Sequence, residues 1–380
     1  MSPSAFCLRV RDFRVLERLN WNPKGVCVLS GANGVGKSTT LDAFRFLRVL
    51  FSQGHESALG AVDGVAFQRW GADPDAPVEF SVEVGELTWT LRFPMSARGL
   101  KSTYGEELHR GGEVVLRAAM FQDEWLLDQE RQPLDETRCC AKVLWDRQSP
   151  AWMQPLVDAL SGIRIYDTYW LDQVKRVEPV RATGSLLHMT GRNLWSVLAN
   201  WKGSPLRYHG QFDWVMAEAR RAFPGIIGTI EFDRGLPYLF RPGASDPSEG
   251  LLPNRAADGM LTGLLHLTAI AGAKEGSLLA FDEVENQLHP HAIRSIIAAM
   301  RRQADERGLT IVLTTHSPVV LNQFRDEPEL VFVLGHGEPG LKVPASMTDL
   351  HTEEWIAQAK LGSLYERLAF GAPEIDGQDR

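Results

Sequence analysis

Alternation of apolar and polar residues with a period of two marks the first third of the chain and predicts β-strands. Two apolar runs, at 5–13 and 25–31, are separated by a turn at 22–25 that reads Asn-Pro-Lys-Gly. Three further extended runs lie between about 77 and 119, with glycine-containing breaks between them. These runs predict an antiparallel β layer.

The apolar spacing changes to the helical period at 37–51, directly after the second predicted strand. The middle of the chain, about 120–250, mixes amphipathic segments with short strands. From 257 onward, helices alternate with strands that carry almost no polar residues, at 278–283, 309–316 and 329–335. Apolar strands that alternate with helices are typical of a parallel sheet covered on both faces. We therefore expect an α/β fold with a mainly parallel sheet and an additional antiparallel β layer.

Composition narrows the class of protein. The 380 residues carry 40 Lys and Arg against 48 Asp and Glu, a net charge of −8, which argues against coating nucleic acid by bulk charge but allows a local basic groove. No apolar run approaches the ~20 residues that span a bilayer. Arginines interrupt the N-terminal segment, which argues against a secretory signal peptide. The four cysteines lack C-x-x-C spacing, which argues against a zinc ribbon. We expect a reduced cytoplasmic protein without a membrane partner.

The residues 31–38 read Gly-Ala-Asn-Gly-Val-Gly-Lys-Ser, which matches the phosphate-binding G-x-x-x-x-G-K-[ST] motif. The motif lies between a predicted strand and a predicted helix, a context that a chance glycine-rich turn would not share. Backbone N–H groups and the helix N-terminus attract phosphate there. The residues predicted to bind ATP are Gly31, Asn33, Gly34, Gly36, Lys37, Ser38 and Thr39, with Ser38 also offering its hydroxyl to Mg²⁺.

An apolar strand ends at Asp282 and Glu283. Carboxylates at this place suit a nucleotide hydrolase, because one can hold Mg²⁺ and the next can polarise the attacking water. We predict that Asp282 is the metal-binding residue and Glu283 the general base. The acids alone would be a weak signal, and the phosphate-binding motif upstream is what makes it specific.

The next predicted strand ends in Thr-Thr-His-Ser-Pro, residues 314–318. A neutral imidazole of His316 at this position is predicted to hydrogen-bond the γ-phosphate and to sense its loss. Ser317 and Pro318 also suit the first turn of a helix, as N-cap and first helical residue, and the two interpretations are compatible.

The order of these motifs resembles the ABC-type ATPase heads of the SMC, Rad50 and RecF group. The phrase Phe-Asp-Glu-Val-Glu-Asn-Gln-Leu-His-Pro at 281–290 resembles the compact ATPases grouped as AAA_21, relatives of the overcoming-lysogenisation-defect proteins. Looser resemblances lie at 10–19, 190–194 and 361–365. The resemblance implies a P-loop NTPase fold of the ABC-head kind.

In that group two heads sandwich ATP, so the resemblance implies a homodimer or higher assembly. Its signature helix corresponds to 256–261, where Asp258 and Gly259 are expected to bind the nucleotide of the partner copy. Relatives carry serine at the position of Ala257, which puts the strength of ATP-driven dimerisation in doubt. The glutamine of the group's Q-loop has three candidates, Gln68, Gln122 and Gln173.

The long span between Lys37 and Asp282 predicts an insertion in the ATPase core. We expect a first ATPase half at 1–120, a tryptophan-rich α+β insertion at 121–250 and a second ATPase half at 251–380. No heptad repeat fills the insertion, unlike in SMC or Rad50 proteins. Its tryptophans suit either a packed core or a surface for a partner.

These observations predict an Mg²⁺-dependent ATPase. The resemblance implies that its nucleotide state controls a separately encoded effector, a nuclease or toxin, and it suggests a role in anti-phage defence. The alternatives are a nucleotide-gated scaffold without hydrolysis, which the alanine at 257 favours, and a RecF-like DNA-repair ATPase. The arginine pairs 220–221 and 301–302 are expected to be solvated helix faces rather than DNA contacts.

Overall fold

The computed structural model describes residues 6–62, 67–96, 99–100, 104–118, 124–127, 130–133, 137–244, 246–335, 343–357 and 360–366. Within these ranges the chain forms two large sheets, one of eight strands and one of six.

The first large sheet has eight strands, and every adjacent pair runs antiparallel. Its spatial order is β11-β10-β9-β8-β5-β4-β1-β2. The strands are β1 (Phe6–Phe13), β2 (Leu16–Trp21), β4 (Val78–Val84), β5 (Leu87–Phe93), β8 (Gly105–Arg110), β9 (Glu113–Ala118), β10 (Glu124–Leu127) and β11 (Glu130–Pro133). In β4 and β5 every second residue is buried, as expected where one face of a sheet packs on a core.

The second large sheet has six strands in the order β12-β15-β16-β3-β17-β18. Its strands are β3 (Val26–Ser30), β12 (Arg164–Tyr166), β15 (Leu278–Phe281), β16 (Thr310–Thr314), β17 (Val331–Val333) and β18 (Ala345–Ser346). All pairs are parallel except β17 with β18. Two small ribbons complete the strands, β6 (Met95–Ser96) with β7 (Gly99–Leu100) and β13 (Thr229–Asp233) with β14 (Leu236–Phe240).

Helices connect and cover the sheets. They are α1 (Lys37–Gln53), α2 (His55–Ala61), α3 (Cys140–Gln148), α4 (Gln154–Gly162), α5 (Leu171–Val174), α6 (Leu194–Gly203), α7 (Gln211–Ala222), α8 (Asp258–Gly272), α9 (Pro290–Arg307), α10 (Pro318–Leu321), α11 (Met347–Leu350), α12 (Glu353–Ala357) and α13 (Leu361–Glu366). Short 3₁₀ turns lie at Ala151–Met153, Pro247–Glu249, Pro253–Arg255, Asn322–Phe324 and Pro328–Leu330.

The parallel sheet separates two hydrophobic cores. Alternate residues of β3 point to opposite sides: Val28 packs in the core with α6 to α9, and Leu29 packs in the core with α1 and the antiparallel sheet. The same alternation holds along β15, where Leu279 and Ala280 face opposite cores. Burial on both faces explains why these strands contain almost only apolar residues.

A buried carboxylate ties the antiparallel sheet to α3. Glu106 of β8 accepts hydrogen bonds from Trp89 Nε1 at 2.8 Å and from the backbone N–H groups of Cys140 and Ala141 at 2.7 and 2.8 Å. Burial raises the pKa of this carboxyl above its ordinary value. The adjacent cysteines at 139 and 140 are free thiols buried in the core.

The predicted fold class is confirmed: the chain is α/β, with a mainly parallel sheet and an antiparallel layer. Several strands escaped prediction. Among them are β2 and β8 of the antiparallel sheet and the short strands β6, β7, β12 and β18. β2 lies in the stretch before the predicted turn at 22–25 and pairs with β1 in the antiparallel sheet. The strand after that turn, β3, belongs to the parallel sheet. The β2 sequence, Leu-Glu-Arg-Leu-Asn-Trp, is too polar to mark a strand without its partner β1.

The predicted insertion shares its packing with the rest of the chain. β10 and β11 extend the antiparallel sheet, and α6 and α7 pack in the same core as α8. Most of the tryptophans pack in the two cores, whereas the Trp70 side chain is 96% exposed. The three-part division of the chain stays a prediction. No helix in the described ranges is long and apolar enough to cross a membrane.

A buried histidine makes the stability of the fold sensitive to acid. His266 of α8 lies 3.0 Å from the Tyr169 hydroxyl through its Nδ1, and its ring meets Phe281 edge-on at 4.9 Å. Burial lowers the pKa of His266 from 6.5 to about 4. Between these values the unfolded chain binds a proton that the folded chain does not, so the free energy of unfolding falls as the pH falls.

We expect this group alone to remove up to about 3 kcal/mol of stability between pH 6.5 and 4. Urea unfolding of the wild type and of His266→Gln across this range measures the effect, and the variant should show the shallower pH dependence. His209→Asn, in an exposed loop, is the matched control and should keep the wild-type slope. Equal slopes in wild type and His266→Gln would contradict the assignment.

Candidate functional site: the carboxyl edge of the parallel sheet

Three adjacent strands of the parallel sheet, β15, β16 and β3, end at the same edge. In open α/β sheets ligands bind at this edge, outside the carboxyl ends of the strands. The loops that follow the three strands carry the three predicted motifs. An open cleft at this edge is lined by Val15, Asn33, Gly34, Gly36, Lys37, Ser38, Thr39, Asp282, Glu283 and His316.

The loop after β3 requires glycine at two points. Gly31 has φ of 147°, and a Cβ there would lie 2.4 Å from the Leu334 carbonyl oxygen. Gly36 has φ of 112°, and a Cβ there would lie 2.7 Å from Leu16 Cδ2. A larger residue at either position would clash with these atoms, and it would also be strained by the positive φ. The loop therefore keeps its tight turn only with glycine. α1 begins directly afterwards, without a side-chain cap on its first N–H groups.

Lys37 lies at the base of the cleft and is 7% exposed. Its Nζ donates to the carbonyl oxygens of Gly31 at 2.9 Å and Ala32 at 3.0 Å. Burial lowers the pKa of Lys37, and the nearby carboxylates of Asp282, Glu283 and Glu285 oppose that shift. The ammonium group is therefore held inside the phosphate-binding loop by the loop itself.

Asp282 connects the three strand ends. Its Oδ2 accepts a hydrogen bond from the Ser38 hydroxyl at 2.9 Å, and its Oδ1 accepts one from the Thr314 hydroxyl. Ser38 belongs to the first turn of α1, and Thr314 is the last residue of β16. One carboxylate thus holds together the loop after β3 and the ends of β15 and β16.

Glu283 adopts a left-handed backbone conformation, with φ of 48°. Such a conformation costs a non-glycine residue roughly 1–3 kcal/mol and persists only where the surroundings hold it. Its N–H donates to Thr314 Oγ1 at 2.8 Å, and its carbonyl accepts the Asn286 N–H at 2.9 Å. The Asn286 side-chain amide also donates to Glu283 Oε2 at 2.9 Å. The backbone conformation and these hydrogen bonds together fix the position of the exposed carboxylate.

His316 completes the cleft on the side of β16. Its backbone N–H donates to Glu285 Oε1 at 2.8 Å, and its ring Nδ1 lies 2.7 Å from the Tyr365 hydroxyl. Burial lowers the pKa of His316, and the Lys37 ammonium adds to this effect, while three carboxylates oppose it. The imidazole is therefore favoured in its neutral form.

Comparisons with known proteins bear on the fold that carries this cleft. A solved structure described as the SmcHead bound to the C-winged helix domain of ScpA aligns over 87% of this chain and 94% of its own, with a TM-score of 0.53 and 12% identity. The chain therefore has the fold of an SMC head. The predicted resemblance to ABC-type and SMC-head ATPases is thereby confirmed.

Two sequence matches are shorter. The family model AAA_21, described as "AAA domain, putative AbiEii toxin, Type IV TA system", matches residues 248–322. The methionine import ATP-binding protein MetN 1 of Rhodococcus jostii (strain RHA1) is 37% identical over 106 residues, which are 27% of this chain and 30% of that protein. The match thus spans less than a third of the relative's length.

The P-loop fold places the predicted signature residues away from the cleft. Asp258 and Gly259 form the first turn of α8 and do not line it. The Asp258 carboxylate pairs with the Lys175 ammonium. A Cβ at Gly259 would lie 2.3 Å from the Gln287 carbonyl oxygen, so only glycine permits this approach to the loop after Glu283. The contact of these two residues with the nucleotide of a partner copy, which the resemblance implies, stays a prediction.

Two of the three candidates for the Q-loop glutamine, Gln68 and Gln173, also lie elsewhere. The Gln68 side-chain amide donates to the carbonyl oxygens of Asp73 at 2.9 Å and Ala76 at 3.0 Å, within its own loop. Gln173 belongs to the short helix α5 and does not line the cleft. Gln122 lies outside the described residues.

Sequence reasoning missed three residues that position the site: Thr314, Glu285 and Tyr365. All three lie within phrases that were recognised, namely 314–318, 281–290 and 361–365. Their side chains have no role that spacing can reveal, because each acts on a residue distant along the chain. Thr314 binds Asp282 and the Glu283 backbone, while the other two bind His316.

The residues fit Mg²⁺ and a triphosphate. A hydroxyl and a carboxylate, Ser38 and Asp282, lie within hydrogen-bond distance, which is the oxygen donor set that Mg²⁺ takes alongside phosphates. The Lys37 ammonium, the glycine-built loop and the uncapped N-terminus of α1 supply positive potential next to them. Within the described ranges, the cleft included, no group of three or more His, Cys, Asp or Glu side chains is arranged to hold a metal.

The Thr314 hydroxyl offers a direct test of this geometry. Thr314→Val keeps the shape but leaves the Glu283 N–H and Asp282 Oδ1 without their partner. We expect a loss of about 1–3 kcal/mol in stability, together with weaker ATP binding in the presence of Mg²⁺. Thermal unfolding and titration with ATP measure both effects. Thr314→Ser retains the hydroxyl and is the matched control, so identical behaviour of the two variants would contradict this role.

Proposed function

We propose that this chain binds Mg²⁺·ATP at the carboxyl edge of the parallel sheet and hydrolyses it. The observation that supports this most is the Ser38–Asp282–Thr314 chain of hydrogen bonds, which brings the three motifs into one cleft. If the glycine-rich turn and the acidic strand end were chance matches to these motifs, we would not expect them to be hydrogen-bonded to each other.

The phosphates would be held by the N–H groups of the loop 31–36, by the start of α1 and by Lys37. Ser38 and Asp282 would hold Mg²⁺, which when bound neutralises charge on the phosphate oxygens. Val15, 53% exposed, lies at the mouth of the cleft beside the loop. Substrate would thus enter with its triphosphate toward Lys37.

Hydrolysis would proceed at the γ-phosphate. Glu283 accepts a proton from water while the water oxygen attacks phosphorus, and the bond to the β-phosphate oxygen breaks. The Asn286 amide on Glu283 Oε2 keeps that carboxylate in place. The neutral His316 donates a hydrogen bond to the γ-phosphate and so distinguishes ATP from ADP. These roles remain proposals for Lys37, Glu283 and His316.

We further propose that two copies close head-to-tail over ATP and that this closure controls a separately encoded effector. The position of Asp258 and Gly259 outside the cleft supports the dimer, because their own copy gives them no access to nucleotide. The description of the matching family model names a putative toxin and a type IV toxin–antitoxin system, which supports a toxin as the effector. A nuclease effector and a role in defence rest on the resemblance of residues 281–290 to the compact ATPases.

Glu283→Gln tests the hydrolytic step and the assembly together. The amide cannot accept the proton, so we expect hydrolysis to fall by about 100-fold or more while ATP stays bound. Phosphate release measures the first effect, and light scattering with and without Mg²⁺·ATP measures the mass. Trapped ATP should double the mass of the chain.

Two outcomes would contradict this proposal. Hydrolysis by Glu283→Gln at the parental rate would show that Glu283 is not the base. A single-chain mass under every nucleotide condition would exclude the sandwich dimer.

Ala257→Ser is the matched variant: α8 has no side-chain cap at Ala257, so a serine hydroxyl there should stabilise α8 by about 1 kcal/mol and strengthen dimerisation.

A nucleotide-gated scaffold is the alternative that the uncapped Ala257 favours, and it predicts ATP-dependent assembly with no phosphate release by the parent chain. A RecF-like DNA-binding ATPase has less support. Arg221 and Arg302 both pair with the buried Glu218, and Arg301 pairs with Glu327. A gel shift on duplex DNA at several salt concentrations distinguishes this reading, since DNA binding would weaken steeply with salt.

A further inference from the structure

His316 has two ring nitrogens, and Nε2 is the one that would face a γ-phosphate. The other, Nδ1, contacts a residue that lies much later in the sequence. Tyr365 of α13 places its hydroxyl 2.7 Å from His316 Nδ1. The resemblance that identified 361–365 as a phrase of the group gave this tyrosine no role. The contact raises the question of what holds α13 next to the cleft.

α13 is fixed directly behind His316. The Gly362 N–H donates to Asn322 Oδ1 at 2.9 Å, and a Cβ at Gly362 would lie 2.6 Å from the Pro318 carbonyl oxygen. Pro318 is the first residue of α10, two positions after the histidine. Leu361 and Leu364 are buried in the core on the α8 side of the parallel sheet. α13 therefore has a defined position against the loop that carries His316.

The direction of the hydrogen bond follows from the chemistry of both groups. Burial and the nearby Glu285 carboxylate raise the pKa of the Tyr365 phenol, so it retains its proton. Burial and Lys37 lower the pKa of His316, so its ring carries only one proton. When the phenol O–H donates to Nδ1, that single proton belongs to Nε2.

A second contact fixes the same residue from another element. Glu285 Oε1 accepts the His316 backbone N–H at 2.8 Å. The backbone is thus held by the loop after β15, and the ring is held by α13. A histidine on a loop would otherwise rotate between several ring positions, and only some of them would present an N–H to the cleft.

We propose that Tyr365 is a positioning residue that keeps His316 in the tautomer and orientation needed to recognise the γ-phosphate. Through it, α13 is coupled to the difference between ATP and ADP. This inference rests on the proposed nucleotide site and extends it, because it assigns discrimination of the γ-phosphate to a residue that does not touch nucleotide.

The test compares ATP with ADP in a background that cannot hydrolyse. In Glu283→Gln protein, Tyr365→Phe removes only the hydroxyl, and we expect ATP to bind roughly 3- to 10-fold more weakly. ADP affinity should stay unchanged, because ADP has no γ-phosphate for His316 to contact. Equilibrium titration with each nucleotide in Mg²⁺ gives both constants. General damage to the fold would weaken both nucleotides and would overturn the proposal.

Two further variants sharpen the test. Tyr208→Phe removes a phenol hydroxyl that accepts from Asn200 at 2.9 Å and does not line the cleft, and it should leave both constants unchanged. Adding Tyr365→Phe to His316→Gln should cost nothing more in ATP affinity if the tyrosine acts only through the histidine. Additive losses would show a separate role for Tyr365 and contradict the proposal.

Failure of this inference can be told apart from failure of the proposed function. If Glu283→Gln protein binds no ATP, the nucleotide site itself is wrong and the inference falls with it. If that protein binds ATP and Tyr365→Phe has equal effects on ATP and ADP, the site stands and the coupling to α13 is wrong.

Discussion

The site depends on two hydrogen bonds that the Asp282 carboxylate accepts from hydroxyl groups. Ser38 and Thr314 come from different segments, and each donates to one oxygen of the same carboxylate. Thr314 also accepts the N–H of Glu283 and so supports its left-handed backbone. The sheet brings β15, β16 and β3 side by side, and this carboxylate adds a direct link between the loop after β3 and the two strand ends beside it.

This arrangement requires β3 to lie beside β16, although the two strands are far apart in sequence. The two hydrophobic cores, one on each face of the parallel sheet, enforce that pairing, because β3 and β15 send alternate side chains into each. The middle of the chain takes part in both cores. The tryptophan-rich segments therefore serve first to pack the sheet that carries the site.

Much of this was predictable from sequence, because the phosphate-binding loop and the apolar parallel strands are local patterns. The strands β2 and β8 were missed because their apolar positions have meaning only beside a partner strand. Thr314, Glu285 and Tyr365 were missed as site residues for a related reason: each acts across the fold on a residue remote in sequence. Local patterns indicated where the chemistry lies, while the contacts that aim it depend on tertiary structure.

The most direct measurement of the central claim is calorimetric titration of the chain with ATP, in Mg²⁺ and in EDTA, beside the same titrations of Asp282→Asn. The account predicts one ATP bound per chain, more tightly with Mg²⁺ than without. It also predicts that the advantage of Mg²⁺ disappears when the carboxylate is lost. ATP binding with equal affinity in Mg²⁺ and EDTA, or no binding at all, would contradict it.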